Sequence, residues 1–426
     1  MLYIRQLTKE GMATITGLGG FGEVGRQSVM VENNGSRFLL DYGINVQTSQ
    51  PPLDPPLPLH AVLLSHAHLD HCGSIPALYA RGYTGSVYAT AVTIELTKLL
   101  LADSHKVQQL KGQQPLYTLG DMETMWHMAR EVPYGKRMAL ENADAFFFDA
   151  GHIPGSAMTL LETGGKRMLY TGDIKFSGTE LSGGAFSDYS DIDVLITEST
   201  YSHMNHPERK QLKKELREHV QDIVSNSGSV IIPVFSVGRA QDMLLMLYDL
   251  NIPVYMDGLG VHATRIVLSH PSFLSRPKEL KKAFSAAHKV KNGRQRMRVL
   301  DRPGIVITSA GMLQGGPVKF YIRSIMKREE CSLVINGYQM EGAPGRVLLD
   351  TGRYVDEEMD AKPGFGVKFM DFSVHCGRDS LLKFIRKVSP GKVLLTHGEH
   401  TADFSEELKG MGFEALAPAN GVPLTI

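Results

Sequence analysis

The sequence has few cysteines, a single tryptophan, no net charge and no long apolar run. Its 426 residues include three cysteines, with 45 Lys and Arg balanced by 45 Asp and Glu. Three cysteines are too few for a disulfide framework, which favours a reducing compartment. Zero net charge excludes a protein that binds nucleic acid through general basicity. No run approaches the ~20 apolar residues of a membrane span, and the N-terminus MLYIRQLTKEGM has no apolar stretch of signal-peptide length. We therefore expect a cytoplasmic protein without a membrane segment.

Short apolar runs that close in polar or glycine-containing turns recur along the chain. They lie at 37–43, 61–68, 167–173, 193–200, 229–235, 304–311, 332–338 and 392–399. Helix-like segments lie between them, at 91–110, 207–224, 238–250 and 378–388. Nearly continuous apolar runs are typical of strands buried on both faces. The alternation therefore predicts an α/β fold in which helices cover sheets.

The most informative motif is HAHLDH at positions 66–71, directly after the apolar run AVLLS. It places three imidazoles and a carboxylate within six residues, and these are His66, His68, Asp70 and His71. Such donors suit Zn²⁺ and require no thiolate. Four ligands this close cannot complete one tetrahedron without strain, so further ligands are expected at other strand ends. The candidates in that setting are His152, Asp173 and His397.

The pattern HxHxDH followed by distant His, Asp and His resembles the metallo-β-lactamase superfamily, and the resemblance spans the whole chain. It implies an αββα sandwich that binds two Zn²⁺, with Asp173 as a bridge between them. It implies that one ion is bound by His66, His68 and His152, and the other by Asp70, His71 and His397. Asp41 in LLDYG matches a carboxylate that supports such sites. For Asp70, a ligating role and a role in orienting the nucleophile both stay open. Two divalent cations ~4 Å apart are the usual hydrolytic arrangement for phosphate esters.

An interval of 224 positions separates Asp173 from His397, which calls for a domain of its own. The chain also carries the strings TEST, VFSVGRAQDML, TSAGMLQGGP, GYQMEGAPGRVLLDTG and DFSVHCG. These strings resemble the β-CASP branch of nucleic-acid-processing nucleases. Within it they resemble the cleavage and polyadenylation specificity factor type of RNA endonuclease and its archaeal and bacterial relatives, in a short form without KH domains. We expect a metallo-β-lactamase domain at 1–203 and 369–426, interrupted by a β-CASP α/β domain at 204–368.

The same resemblance assigns motifs A, B and C to Glu198, His375 and His397. The leaving 3′ oxygen needs a proton that metal-activated water does not provide, so His375 paired with Glu198 is the expected general acid. One departure concerns the residue two positions after the motif B histidine. Where that type commonly has an acid, this chain has Gly377 and the nearby Asp379. How His375 is held therefore stays open.

Several residues of the inserted region are candidates for phosphate contacts. The glycine-rich SAGMLQGGP, with Ser309 and Gly311, predicts an anion-binding concavity of backbone N–H groups. Arg239 and Arg346 are candidate phosphate clamps, and Ser373 is a candidate phosphate contact. The stretch 276–302 holds ten Lys and Arg against two acids. It is either a solvated helix face or a phosphate-binding edge.

The expected function is zinc-dependent hydrolysis of phosphodiester bonds in single-stranded RNA, with DNA kept as the less favoured substrate. Cleavage by an endonuclease and by a 5′→3′ exonuclease both stay open, as does the RNA sequence preference. Two alternatives remain: a small-molecule metallo-hydrolase of the thioesterase or lactamase type, and a catalytically silent subunit of a processing complex. The apolar tail FEALAPANGVPLTI offers a final strand or a homodimer contact.

Overall fold

The computed structural model describes residues 13–426, and these form two compact units. The first unit comprises the described residues up to Ser177, Gly184–Asn205 and His375–Ile426. The second comprises Gly178–Gly183 and His206–Val374. The sequence predicted boundaries after positions 203 and 368, whereas the contacts change unit after Asn205 and Val374. The N-terminal segment that lacks a signal-peptide pattern lies outside the described residues.

The strands and helices follow one another in this order. The first stretch holds β1 (Thr14–Gly19), β2 (Ser28–Asn33), β3 (Ser36–Leu40), β4 (Ala61–Leu63), α1 (Leu69–Cys72), α2 (Ile75–Ala80), β5 (Ser86–Ala89), α3 (Ala91–Leu110), α4 (Leu119–Met128), β6 (Ala129–Glu131), β7 (Met138–Leu140), β8 (Ala143–Asp149), β9 (Ala157–Thr163), β10 (Lys166–Tyr170) and β11 (Val194–Glu198). The second unit holds α5 (Arg209–Ser225), β12 (Val230–Pro233), α6 (Arg239–Leu247), β13 (Val254–Asp257), α7 (Gly260–Ser269), α8 (Pro277–Ala286), β14 (His288–Val290), α9 (Gly293–Arg298), β15 (Ile305–Thr308), α10 (Val318–Ile325), β16 (Ser332–Ile335), α11 (Pro344–Thr351), β17 (Tyr354–Val355), β18 (Asp360–Ala361) and β19 (Gly366–Phe369), with short 3₁₀ turns at Pro271–Phe273 and Val299–Asp301. The last stretch holds α12 (Arg378–Val388), β20 (Lys392–Thr396), α13 (Thr401–Gly410), β21 (Ala415–Leu416) and β22 (Pro423–Thr425).

The first unit is built on two seven-stranded sheets with the same plan. Sheet A has the order β22-β1-β2-β3-β4-β5-β6, and sheet B has the order β21-β20-β11-β10-β9-β8-β7. In each sheet four neighbouring strands run parallel, namely β3 to β6 in sheet A and β10, β11, β20 and β21 in sheet B. The remaining strands are antiparallel. The tail therefore forms a final strand, since β22 pairs with β1.

Alternation of side chains along the strands produces four layers. Phe38 and Leu40 of β3 lie in a core shared with sheet B, while Leu39 between them packs against helices α2 to α4. On sheet B, Tyr170 joins the shared core and Leu169 packs under α12 and α13. Successive residues of a strand face opposite sides, so one apolar run serves two cores. The layer order helix, sheet, sheet, helix confirms the predicted αββα sandwich.

The second unit has one six-stranded parallel sheet, with the order β14-β13-β15-β12-β16-β19. Ile231, Val306 and Leu333, from three adjacent strands, share a core with Tyr321 and Ile322 of α10. A sheet of this kind needs helices to bury its apolar faces. The predicted α/β character of the inserted region is therefore confirmed.

The predicted helices agree closely with the observed ones. α3 and α12 have the bounds that the sequence predicted, 91–110 and 378–388. The helix predicted at 207–224 begins instead at Arg209, because Glu208 is extended and precedes the first turn. α6 is shorter than its predicted range and ends at Leu247. Within residues 13–426, no helix has the length and apolar character needed to cross a membrane.

A buried ion pair fixes the short segment Gly178–Gly183 within the second unit. Arg209 of α5 donates to Asp242 of α6 at 2.7 Å and to Glu180 at 3.0 Å. The second oxygen of Asp242 accepts the backbone N–H of Leu181 at 3.1 Å. The side chain of Asp242 is 1% exposed. Burying a carboxylate so fully is unfavourable unless it is paired, so Arg209 holds the segment and the helix together.

Replacing Arg209 with methionine should therefore destabilise the protein by about 3 kcal/mol, because Asp242 then stays buried without its cation. The measurement is the urea midpoint followed by circular dichroism. Lys214→Met on the same helix is the control, because its pair with Glu218 is about two-thirds exposed on both sides and should contribute less than about 0.5 kcal/mol. Equal midpoints for the two variants would show that the buried pair does not hold the segment.

Candidate metal centre and acid–base pair

The carboxyl ends of strands in both sheets meet at one edge of the first unit. Asp41 follows β3 and His66 follows β4 in sheet A. In sheet B, His152 follows β8, Asp173 follows β10 and His397 follows β20. Asp70 and His71 lie in the single-turn helix α1, where the sequence predicted a turn. Because parallel strands present the same end to the same edge, residues far apart in sequence come together here.

Three histidines and one carboxylate form the first cluster. The Nδ1 atom of His68 lies 3.2 Å from Nε2 of His66 and 3.2 Å from Nε2 of His152. The Oδ2 atom of Asp173 lies 3.5 Å from Nε2 of His66 and 3.5 Å from Nε2 of His152. One atom from each of the four residues fits within 4.8 Å. This spacing leaves room for one cation among them.

The second cluster contains Asp70, His71 and His397. The Oδ2 atom of Asp70 lies 3.4 Å from Nε2 of His397. The Oδ1 atom of Asp173 lies 3.3 Å from Nε2 of His71 and 3.6 Å from Nδ1 of His397. Asp173 thus turns one oxygen toward each cluster. This is the position that the resemblance implies for a bridging ligand.

The donor atoms fit metal ions better than they fit one another. The Nε2 atom of His71 and the Oδ1 atom of Asp173 are buried and have no hydrogen-bond partner among the described residues. Burial, followed by the neighbouring imidazoles, lowers the pKa of His66 well below its usual value, so the ring is neutral as a ligand must be. Burial also lowers the pKa of His71, but the carboxylates of Asp173 and Asp41 outweigh it and raise the pKa well above normal. The cluster therefore stabilises positive charge where a cation would lie.

Asp41 orients the second cluster from behind. Its carboxylate accepts hydrogen bonds from the backbone and hydroxyl of Ser65 at 2.7 and 2.6 Å, and from the hydroxyl of Tyr170 at 2.7 Å. It also accepts one from Nδ1 of His71 at 2.7 Å, which leaves Nε2 of that ring facing the cluster. Carboxylate–histidine pairs of this kind set the tautomer and direction of metal-binding rings. The supporting position implied for Asp41 is therefore where the structure places it.

A glycine lets the Asp41 loop approach the histidine motif. A Cβ atom added at Gly43 would lie 1.6 Å from the backbone oxygen of Asp70. The backbone of Tyr42 next to it donates to the oxygen of His71 at 2.8 Å. Any side chain at position 43 would push these two loops apart. The glycine of LLDYG is thus required by close packing beside the second cluster.

His375 and Glu198 form the pair that the sequence predicted. The Nδ1 atom of His375 lies 2.9 Å from Oε2 of Glu198. The Oε1 atom of Glu198 accepts the backbone N–H of Ile174 at 2.7 Å, so both of its oxygens are engaged. The Nε2 atom of His375 lies 3.9 Å from Oδ2 of Asp173. Burial alone lowers the pKa of His375, but Glu198 and then Asp173 outweigh it and raise the pKa to about 9.

The absent acid after His375 now has a structural explanation. Gly377 precedes the first turn of α12. Asp379 is exposed, pairs with Arg378 at 3.3 Å, and its backbone N–H donates to Asn205 at 2.9 Å. Glu198 contacts the Nδ1 atom of His375 directly. Lys175 in addition donates to the backbone oxygen of His375 at 3.0 Å.

Four of the five predicted phosphate contacts follow strand ends of the second unit. Gly311 follows β15 in the chain and packs against the residues after β12. A Cβ atom added at Gly311 would lie 3.0 Å from the backbone nitrogen of Phe235. Arg239 opens α6 and is buried, with its guanidinium beside Gly337. Ser309 immediately follows β15. Ser373 follows β19, and its backbone N–H donates to Asp371 at 3.1 Å.

Arg346 has a different setting from these residues. It lies on α11 and forms an ion pair with Asp350 of the same helix at 2.7 Å, with both side chains about half exposed. A surface pair of this kind contributes little to stability. The guanidinium is therefore accessible.

Comparisons with known proteins agree with this geometry. Residues 21–233 match the model of the metallo-beta-lactamase superfamily, and residues 240–348 match the Beta-Casp domain. Residues 365–418 match the Zn-dependent metallo-hydrolase RNA specificity domain. The chain belongs to the β-CASP branch of the metallo-β-lactamase superfamily. The predicted fold class, a sandwich with an inserted β-CASP domain, is thereby confirmed.

Several relatives of this β-CASP chain carry functional names. It is 34% identical to "Probable RNase MJ4" of Methanocaldococcus jannaschii, over 95% of this chain and 98% of that protein. It is 32% identical to "RNase aCSPSF2" of Saccharolobus solfataricus, over 96% and 84% respectively. It is 33% identical to "Transcription termination factor FttA" of Methanocaldococcus jannaschii, over 92% of this chain and 68% of that protein. A crystal structure of a protein of unknown function from Enterococcus faecalis V583 shares the fold, with a TM-score of 0.63 and 13% identity over 97% of this chain and 100% of that one.

Two contacts of the candidate metal centre, and one contact within the second unit of this β-CASP chain, escaped the sequence interpretation. Thr200 places its hydroxyl 3.0 Å from Nδ1 of His397, and Tyr170 contacts Asp41 from the other sheet. Gln339, in the second unit, donates its side-chain amide to the backbone oxygens of Gly311 and Tyr338 at 3.2 and 3.1 Å. Thr200 lies within TEST and Gln339 within GYQMEG, so both strings held a signal. Tyr170 had none beyond its position at the end of an apolar run.

Replacing Asp173 with alanine should lower the bound metal to less than one ion per chain, because each cluster loses its shared oxygen donor. Metal content after dialysis, measured by inductively coupled plasma mass spectrometry, tests this. Asp191→Ala is the control, because its side chain is 85% exposed. An Asp173→Ala protein that folds and retains two ions per chain would contradict a bridging position.

Proposed function

We propose that this chain is a zinc-dependent ribonuclease that hydrolyses phosphodiester bonds of single-stranded RNA. The observation that carries the proposal is the arrangement around Asp173. Two clusters of imidazoles and carboxylates share this residue, and the His375–Glu198 pair lies directly beside it. Metal ligands and an acid are the two components that such hydrolysis requires.

In this proposal the two clusters divide the metal ligands between them. His66, His68 and His152 would hold one ion together with Asp173, and a second set would hold the other ion with the same carboxylate. That second set is Asp70, His71 and His397. When bound, the two Zn²⁺ ions activate water near neutral pH and neutralise the charge that develops on phosphorus. Among metals, Zn²⁺ is favoured because the donors are imidazoles and carboxylates arranged in a compact site.

Asp70 keeps two roles in the proposal. Its side chain is 22% exposed, compared with 2% for Asp173. A carboxylate that faces both a ligand cluster and solvent can ligate with one oxygen and orient the attacking water with the other. Asp173, which is enclosed, has no such freedom.

His375 is the proposed general acid. Glu198 accepts the Nδ1 proton, so the Nε2 proton points toward the clusters and can pass to the leaving 3′ oxygen. Despite burial, Glu198 raises the pKa of the ring and so favours its protonated form, which is the state that an acid needs before reaction. Glu198 acts through the ring and is a positioning residue.

RNA is the proposed substrate for two reasons. The RNA specificity model matches residues 365–418, which include His375 and His397. Relatives that match almost the whole chain are named RNases. All seven predicted ligands and both members of the acid–base pair are present and assembled, which weighs against a silent processing-complex subunit. A small-molecule thioesterase or lactamase would need neither the second unit nor the His375–Glu198 pair.

Residues in loops of the second unit are proposed to contact phosphates of the RNA. We place these phosphates near Ser309 and Gly311, whose loop offers backbone N–H groups, and near Arg239. Arg346 and Ser373 complete the proposed contacts. Arg346 would exchange its exposed partner Asp350 for a phosphate oxygen at little expense.

The cellular setting is also proposed. Three buried cysteines without disulfides suit a reducing cytoplasm. The outer edge of β22 is the proposed contact of a homodimer, because the inner edge pairs with β1 and the outer edge is unpaired within residues 13–426.

Replacing His375 with alanine should lower kcat for RNA cleavage by about 100-fold to 10,000-fold and leave two metal ions bound, because only proton transfer is removed. Single-turnover cleavage and metal content are measured on the same preparation. His203→Ala, which removes a neighbouring exposed histidine of the first unit, is the control. Turnover equal to that of the unchanged protein would exclude His375 as the acid.

The mode of cleavage is tested with one single-stranded RNA labelled in turn at its 5′ and 3′ ends. It is supplied with a 5′ monophosphate or a 5′ hydroxyl, with and without chelator. Chelator-sensitive internal cuts that ignore the 5′ group would establish an endonuclease, and mononucleotide release that needs the monophosphate would establish a 5′→3′ exonuclease. A chain with two bound Zn²⁺ that cleaves neither RNA nor matched DNA would contradict the proposed function.

A further inference from the structure

The basic stretch 276–302 forms an exposed surface on the second unit, here called the basic face. It consists of α8, β14, α9 and the turns around them. Eight of its ten cationic side chains are exposed and form no ion pair with any residue in the range 13–426. These eight are Arg276, Lys278, Lys281, Lys282, Lys291, Arg294, Arg298 and Arg302. The surface thus presents a concentration of uncompensated positive charge.

Cations elsewhere in the second unit are mostly neutralised by neighbouring acids. Arg217 of α5 pairs with Asp249 at 2.6 Å. Arg323 of α10 pairs with Asp356 at 2.9 Å. Ordinary solvated surfaces mix the two signs in this way. Unpaired cations are therefore concentrated on the basic face, although a few others, such as Lys210, Lys327 and Lys362, lie elsewhere in this unit.

The positive charges on the basic face repel one another. Lys278, Lys281 and Lys282 are spaced by three and four residues along α8, so they share one side of the helix, where like charges are destabilising. Lys289 shows the same crowding: burial and then the charge of Arg265 lower its pKa. A polyanion bound across the face would relieve this repulsion.

A buried carboxylate holds α9 in place on this surface. Arg296 forms two hydrogen bonds to Asp257 at the end of β13, at 2.5 and 2.9 Å. Tyr321 donates to the same carboxylate at 2.8 Å. α9 itself contributes no buried residue. This pair therefore fixes a short helix whose remaining cations, Arg294 and Arg298, face solvent.

The basic face also offers a ring on which a base could stack. His288 of β14 is exposed and lies parallel to Tyr255 of β13, with ring centroids 5.1 Å apart and an interplanar angle of 27°. Single-stranded nucleic acids bind where such rings lie beside a positively charged track. A nucleic acid offers bases that can stack on such a ring, whereas lipid headgroups offer none.

We propose that the basic face binds the sugar–phosphate backbone of single-stranded RNA, with His288 stacking on one base. This proposal rests on the proposed function, because it supplies the same substrate with a second, sequence-independent contact. The recognition is by charge and stacking, so it would act on RNA of any sequence.

The test uses the full chain and an unstructured 30-nucleotide RNA in chelator, so that binding is measured without cleavage. The triple variant Lys278→Gln, Lys281→Gln and Lys282→Gln should weaken binding about tenfold and lower the slope of log K against log salt by about 2, because three phosphate contacts are lost. The control is Lys210→Gln, Lys327→Gln and Lys362→Gln. It removes the same charge from exposed lysines of the same unit. Equal affinities for the two triple variants would overturn the proposal.

A second variant separates stacking from charge. His288→Ala should weaken binding about tenfold with an unchanged salt slope, and His288→Phe should restore it, because only the ring is needed. If His288→Ala binds RNA as tightly as the unchanged protein, His288 does not stack on a base and that part of the proposal is wrong. The lysine triple variant is also tested for binding to phosphatidylserine vesicles. If it loses vesicle binding but keeps RNA binding, the basic face binds a membrane and the proposal is overturned.

Failure of this proposal and failure of the proposed function are distinguishable. Binding in chelator needs no turnover, so a chain that cleaves nothing still reports on the basic face. Conversely, the lysine triple variant should cleave a six-nucleotide RNA at saturation with unchanged kcat. A lowered kcat with unchanged RNA affinity would overturn the binding role.

Discussion

The first unit is organised around one buried carboxylate. Asp173 has four histidine nitrogens within 3.6 Å, two facing each of its oxygens. A carboxylate buried this completely is tolerated only among positive or hydrogen-bonding partners. Glu198 holds the backbone of Ile174, next to Asp173, with one oxygen and the ring of His375 with the other. The same side chain therefore sets the position of the proposed bridging ligand relative to the proposed acid.

The sequence predicted most of what is local in this structure. The motif HAHLDH predicts a metal site because it places three imidazoles and a carboxylate within six positions. The helical pattern predicts α3 and α12 with their observed bounds. The apolar runs predicted strands, and the polar residues that end them are the ones that converge. The connection between His375 and Glu198 came from the resemblance, since 177 positions separate them.

What the sequence did not predict depends on contacts between distant segments. Tyr170 reaches Asp41 across the two sheets, and nothing in the run RMLY distinguishes it from a core residue. The short segment around Glu180 joins the second unit through Arg209, although it follows Asp173 closely in the chain. Gln339 follows β16 and donates to the loop after β15, a strand that β12 separates from β16, so this contact is visible only once the strand order is known. In each case the residue that the side chain contacts depends on how strands or helices pack together, and composition does not reveal it.

The distribution of charge is a further property that composition alone does not predict. Zero net charge predicts that the protein does not attract nucleic acid over its whole surface. In physiological salt, however, a phosphate responds to charges within about 8–10 Å, so the balance over 426 residues has little bearing on any one face. Acids in the second unit are taken up by buried pairs such as Arg209 with Asp242 and Arg296 with Asp257. Apart from Arg296, the cations of α8 and α9 form no ion pair among the described residues. Segregating charge in this way confines attraction for a polyanion to one surface, which orients the polyanion as well as binding it.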